Sequence, residues 1–158
     1  MSPSEMRFFV LVLFNFLFTA KLFESVSALT DREIFAKTVY GEARGEPVEG
    51  QIWVAWVIKN RARANKKYWG GSKIGDVCRH PYQFEPWNGK TDIIITEPAV
   101  YKRIKTLTDQ IYDDPPSQDP TDGSQYFHST YMKKYPSWVK NCKKTRTIGH
   151  HIFYKALR

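Results

Sequence analysis

The run IWVAWVI at residues 52–58 is apolar on every side of a helix. A helix with no polar face has to be covered all round, so it belongs at the centre of its domain. Its start is marked by Pro47, at a first helical position, and by Glu49, an acid in the first turn where the helix dipole favours negative charge. Lys59, Arg61 and Arg63 suit the other end, so the predicted helix runs from 48 to about 64. The rest of a small domain must be arranged around that rod.

The N-terminus carries a second apolar run, FFVLVLFNFLFTA at residues 8–20. It is shorter than the ~20 residues a membrane-spanning helix needs. Arg7 precedes it, and Val26-Ser27-Ala28 supplies small residues of the kind a signal peptidase accepts. The expectation is a secretory signal at 1–28 and a single domain at 29–158, secreted or held at a cell wall, with no stable membrane insertion after cleavage. What remains, about 130 residues, has room for one core.

Thr30-Asp31-Arg32-Glu33 is a capping-box pattern, and Ile34, Phe35 and Val39 follow in helical rhythm. That helix is predicted to end near residue 41. Residues 73–80 read as one or two helical turns, and Thr96-Glu97-Pro98 opens a third long helix. Its stripe of Val100, Ile104, Leu107 and Ile111 faces a core. The turn-rich segments at 81–90 and 113–122 are read as loops. Residues 124–130 and 148–155 are predicted strands, with 145–147 a partner. The class is α+β, mainly helical, with a small C-terminal sheet.

Two glutamates, Glu42 and Glu46, lie in YGEARGEPVEGQ at 40–51, at the edge of the apolar helix. A hydrophobic wall disfavours a carboxylate's charged form and raises its pKa toward the range of a general acid. Glycoside cleavage needs such an acid to protonate the leaving oxygen. The competing reading has both glutamates capping or solvating helix ends. Arg44 stands between them and is expected to pair with one, which would lower that group's pKa and suit a structural acid.

Charge is unevenly spread. Residues 29–122 hold fourteen Lys/Arg and fourteen Asp/Glu, whereas residues 123–158 hold eight cations and no acid. A basic end of this kind suits a polyanionic partner such as an anionic cell-wall polymer. Export and the lack of any zinc-finger or helix-turn-helix pattern argue against nucleic acid. Cys78 and Cys142 are the only cysteines, and in an exported chain an even number predicts a disulfide. Closing that loop would stabilise by roughly 4 kcal/mol in the chain-entropy account. No set of Cys and His has zinc-site spacing, and neither metal nor cofactor is expected.

Four blocks in order, TVYGEARGEPVEGQIWVAWVIKNR, YQFEPWN, DPTDGSQYFHS and PSWVKNCKKTRTIGHHIFY, resemble the SleB-like cell-wall hydrolases, of which spore-cortex lytic enzymes are the best-known members. The resemblance covers about residues 32–155. It implies a lysozyme-like fold and cleavage of the muramic acid to glucosamine bond of peptidoglycan glycan strands; a monomer is expected. It further implies a lytic transglycosylase, which leaves a 1,6-anhydro end, with Glu42 as the catalytic acid. Gln83 and Phe84 match the family's QF pair and, with Tyr82 and Trp87, are candidates for a sugar platform. If Phe127 faces inward, Tyr126 and His128 share the opposite face and are candidate substrate contacts. Glu46 is read as structural beside Pro47, with a second-carboxylate role as its alternative. Glu85 departs from the family pattern and is a further candidate carboxylate if it faces the cleft. His151 fits the IG-x-H-x-F-Y pattern and is read as a structural group. Two other functions compete: a metal-dependent N-acetylmuramoyl-L-alanine amidase, using His80, His128, His150 or His151, and a non-catalytic cationic protein that binds bacterial surfaces.

Overall fold

The structure, a computed structural model, describes residues 28–157. The expected signal segment therefore lies outside the described residues, except for its last position. Among the described residues no helix is long and apolar enough to cross a membrane.

The first helix, α1 (Asp31–Ala43), begins with the predicted capping box. Thr30 Oγ1 accepts from the Glu33 N–H at 3.3 Å, and Glu33 Oε2 accepts from the Thr30 N–H at 2.8 Å. Helix α2 (Val48–Ala64) is the central rod: Trp53, Val54, Ala55, Trp56, Val57 and Ile58 are all buried. Pro47 is its N-cap, one position earlier than expected. Short helix α3 (Ile74–Arg79) and long helix α4 (Pro98–Asp113) pack with α1 around it. On α4 the predicted stripe is seated, with Ile104 and Ile111 buried and Val100 and Leu107 at the core's margin.

Lys59 does not serve its own helix end. It is buried, and its Nζ donates to the carbonyls of Ile111, Tyr112 and Asp114 at 2.5, 3.1 and 2.6 Å. The last turn of α4 leaves carbonyls without intrahelical partners, and a cation at that end satisfies them and complements the dipole.

The sheet is antiparallel, in the order β1-β3-β2, formed by β1 (Tyr126–Ser129), β2 (Cys142–Ile148) and β3 (His151–Ala156). The predicted 148–155 strand is thus split, since Ile148 closes β2 and the chain turns at Gly149 and His150. Strand β2 is longer than the predicted 145–147. Phe127 does face inward, packing on Phe153, which in turn meets Trp53 of α2 at 5.1 Å. Edge strand β2 carries exposed Lys143, Lys144 and Arg146, charges that discourage another strand from pairing there. Two cations of the basic segment are neutralised by the body: Arg146 pairs with Glu49 at 3.0 Å, and Lys155 pairs with Asp122.

The β2–β3 turn is docked on the start of α2. Glu46, its side chain 9% exposed, accepts from the His150 backbone N–H at 2.9 Å and lies 3.1 Å from His150 Nδ1. Gly149 has φ +52, and a Cβ there would overlap Glu46 Oε2 and come within 2.9 Å of Pro47 Cδ. Gly149→Ala therefore meets both backbone strain and a clash. We expect it to lower stability by about 2 kcal/mol or more. An unchanged urea midpoint would show that the turn relaxes freely.

The expected disulfide is not formed, and both cysteines are free. Cys78 sits on α3, fully buried in the helical core, where burial pushes its thiol pKa up to about 12. Cys142 opens the outer strand of the sheet and packs there instead. The even count and the expected export signalled a pair; the fold assigns the two thiols to different layers.

Candidate active site

Glu42 occupies the last turn of α1, half-buried. The residue before it determines what comes near. A Cβ on Gly41 would lie 2.6 Å from Pro86 Cγ and 2.7 Å from Pro86 Cβ, so the 85–87 turn reaches α1 only because residue 41 has no side chain. That turn is anchored on both sides, by buried Phe84 and by buried Trp87, whose Nε1 donates to Thr38 Oγ1 at 2.8 Å. The result is that the Glu85 carboxylate stands close enough to Glu42 to repel its charge, while the Glu85 backbone N–H favours the ionised form more weakly.

Behind Glu42 lies Arg61, 7% exposed. Its Nε donates to the Gln125 carbonyl at 2.8 Å and its Nη1 to Gln83 Oε1 at 3.3 Å. The guanidinium also lies over the rings of Phe84 (5.2 Å) and Trp69 (5.6 Å). Burial lowers its pKa to about 10, which leaves it charged at neutral pH. Glu42 feels four influences. Burial raises its pKa most, the Glu85 charge adds to that, and Arg61 and the Glu85 N–H oppose both; the outcome is about 7. A carboxyl poised there can give a proton and take one back near neutrality.

Glu42 opens onto a cleft of about 1220 Å³. One wall is the end of α1 with Tyr40 and Arg44, the second is the 85–96 loop, and Ser129 and His151 bring the sheet to its edge. Tyr40 holds two walls together: its hydroxyl accepts from the Thr96 and Glu97 N–H groups at 3.2 and 3.1 Å. Arg44 pairs with Glu97 at 3.2 Å and not with Glu42 or Glu46, because the start of α4 is brought beside it.

The other predicted site residues are placed as follows. Glu85 faces the cleft. Glu46 does not line it and is engaged by the β2–β3 turn. Phe84 is a core residue at 2% exposed, Gln83 is held by Arg61, and Tyr82 is exposed with φ 62; none of the three lines the cleft. Tyr126 and His128 lie on the face of β1 opposite Phe127, as the alternation predicts, but the cleft opens on the Phe127 side. On the face away from the cleft, Tyr126 stacks on Trp138 at 5.1 Å, and His128 Nε2 lies 2.9 Å from the Tyr154 hydroxyl. Among the described residues no group of three or more His, Cys, Asp or Glu is arranged to hold a metal ion.

The sequence gives no sign that Arg61 and Ser129 belong near the cleft, and it leaves His151 as a structural group or an amidase candidate. Arg61 looked like one of three cations at a helix end. Ser129 and His151 are register partners on β1 and β3, a pairing that only the sheet reveals.

Residues 45–154 match the family described as Cell Wall Hydrolase. The chain belongs to that cell wall hydrolase family. Glu42 lies just ahead of the matched segment. The spore cortex-lytic enzyme of Bacillus subtilis is 31% identical over 124 residues, 78% of this chain and 37% of the relative. That of Halalkalibacterium halodurans is 29% identical, covering 78% of this chain and 34% of the relative. The chain thus spans little more than a third of the length of these relatives. Solved structures of catalytic domains are matched almost whole. The catalytic domain of the Bacillus cereus SleB protein superposes with a TM-score of 0.60 at 30% identity, covering 79% of this chain and 89% of that one. The catalytic domain of the germination-specific lytic transglycosylase SleB from Bacillus anthracis gives 0.60 at 28% identity, covering 83% and 98%. The cell wall hydrolase fold seen here, helices around a cleft with a small sheet, is lysozyme-like.

Proposed function

We propose that this cell wall hydrolase is a secreted peptidoglycan lytic transglycosylase with Glu42 as its general acid and base. The observation that carries the reading is a half-buried carboxyl with a pKa of about 7 on the wall of an open cleft. Protonated Glu42 gives its proton to the glycosidic oxygen as that bond breaks, and positive charge develops at the muramic acid anomeric carbon. The resulting carboxylate then takes the proton of the same sugar's 6-hydroxyl, whose oxygen closes onto that carbon. One carboxyl does both jobs, so a second enzymatic nucleophile is not needed. The naming of the Bacillus anthracis relative as a lytic transglycosylase supports the same chemistry. Exposed Lys133, Lys134, Lys140, Lys143 and Lys144 form the surface that would meet anionic cell-wall polymers.

Digestion of purified peptidoglycan with mass analysis of the new ends tests the reading. Anhydromuramoyl ends are expected. Reducing ends would make the enzyme a simple hydrolase, and free lactyl groups would make it an amidase. The electrostatics give a second check. Glu85 raises the pKa of Glu42 by charge repulsion, so Glu85→Gln should move the alkaline limb of the kcat/KM profile to lower pH. A limb that stays in place, or moves to higher pH, would mean that Glu42 is not the group titrating there.

A further inference from the structure

At the sheet end of the cleft, His151 is 8% exposed and its ring packs on Phe127 at 4.9 Å and Phe153 at 6.0 Å. Its Nδ1 is buried with no hydrogen-bond partner. Burying a polar atom unpaired is costly, and a phenylalanine would fill this aromatic niche without that cost. Yet the same ring lines the cleft that holds Glu42. With Nδ1 sealed in the interior, Nε2 is the nitrogen on offer to the cleft. Directly opposite on β1 stands Ser129, which also lines the cleft. Its Oγ accepts from the Tyr131 N–H at 3.1 Å, which leaves the hydroxyl proton free to be donated. Burial also lowers the His151 pKa, which favours the neutral imidazole, whose Nε2 is a donor or an acceptor according to the tautomer.

We propose that His151 and Ser129 form a sheet-side subsite of the cleft that hydrogen-bonds the hydroxyl or acetamido substituents of an N-acetylated amino sugar. This rests on the glycan-cleaving reading above and assigns that reading its contacts on the side facing Glu42. The pair differs from the aromatic platform expected around residues 82–87, since it binds through polar atoms held by an apolar backing. His151 is a substrate-binding residue in this account and takes no part in proton transfer.

His151→Phe keeps the ring contacts and removes both nitrogens. We expect a thermal midpoint equal to or above that of the native protein. The KM for soluble glycan fragments should rise about 3- to 10-fold, the worth of one neutral hydrogen bond, with kcat little changed. Imidazole nitrogen shifts of His151, read by NMR in the Glu42→Gln protein, should move on addition of a peptidoglycan tetrasaccharide. This second measurement does not depend on the phenylalanine variant folding. A lower midpoint with unchanged KM, or nitrogen shifts that ignore bound tetrasaccharide, would make His151 a structural residue and end the proposal. If the native protein fails to cleave peptidoglycan and the Glu42→Gln protein binds no tetrasaccharide, the glycan reading itself fails, and the subsite falls with it.

Discussion

Glu42→Gln is expected to reduce glycan cleavage by about 10²-fold or more and, at the same time, to make the protein more stable above pH 7. The first effect follows because an amide of the same shape has no proton of suitable acidity to give. The second follows from the direction of the pKa shift. The folded protein holds the Glu42 proton up to about 7, whereas the ordinary value is 4.5. The folded state therefore binds this proton more tightly than the unfolded chain does. Stability falls as pH rises between those two values, and above about 7 the full cost of the buried charge is present. At ~1.4 kcal/mol per pH unit this cost is about 3 kcal/mol, and glutamine does not incur it. Native and Glu42→Gln proteins should unfold alike near pH 4 and diverge near pH 8, with the variant more stable. Near-native turnover in a folded variant would remove Glu42 from the mechanism. A variant less stable at pH 8 would mean that the carboxylate is held by contacts stronger than the desolvation opposing it.

Much of this architecture is legible in the chain because its signals are local. The Thr30–Glu33 capping box, the all-apolar 52–58 run and the Val100–Ile111 stripe each state a period or a cap, and each is found where it was read. The position of Glu42 is local as well: the helix expected to end near residue 41 ends at Ala43, and Glu42 lies in its last turn at the edge of the core. The misreadings concern pairings between distant segments. Alternation places Tyr126 and His128 together opposite Phe127, but which face borders the cleft depends on where β3 lies. Arg44 has acids near in sequence, yet it pairs with Glu97, which is brought up by α4. Arg61 has the same local surroundings as Lys59 and Arg63, and only the packing of Phe84, Trp69 and Gln125 buries it beside the candidate acid. Cysteine parity says nothing about geometry, and here it pointed to a bond that the fold does not make.

The position of Glu42 depends on a residue with no functional group. In the interior of a helix, alanine is favoured over glycine by about 1 kcal/mol, so on helix propensity alone Gly41→Ala should stabilise α1. The neighbour reverses that expectation. A methyl at residue 41 would sit 2.6 Å from a carbon of the Pro86 ring, which cannot rotate away as a long side chain could. The loop cannot slide as a unit either, because Phe84 and Trp87 hold it in the core on either side of Pro86. Strain of this kind typically costs about 1–3 kcal/mol. What yields is the 85–86 backbone, and with it the Glu85 N–H that favours the ionised form of Glu42. We therefore expect Gly41→Ala to fold with reduced stability and to lose activity about 10-fold or more, since small displacements of a positioned catalytic group are expensive. Its pH profile should carry the diagnosis. Loss of the Glu85 N–H removes an interaction that favours the ionised form, so the alkaline limb should move to higher pH, opposite to the shift expected for Glu85→Gln. A Gly41→Ala enzyme with native activity and stability would show that the 85–87 turn is free to move and that Glu42 needs no such support.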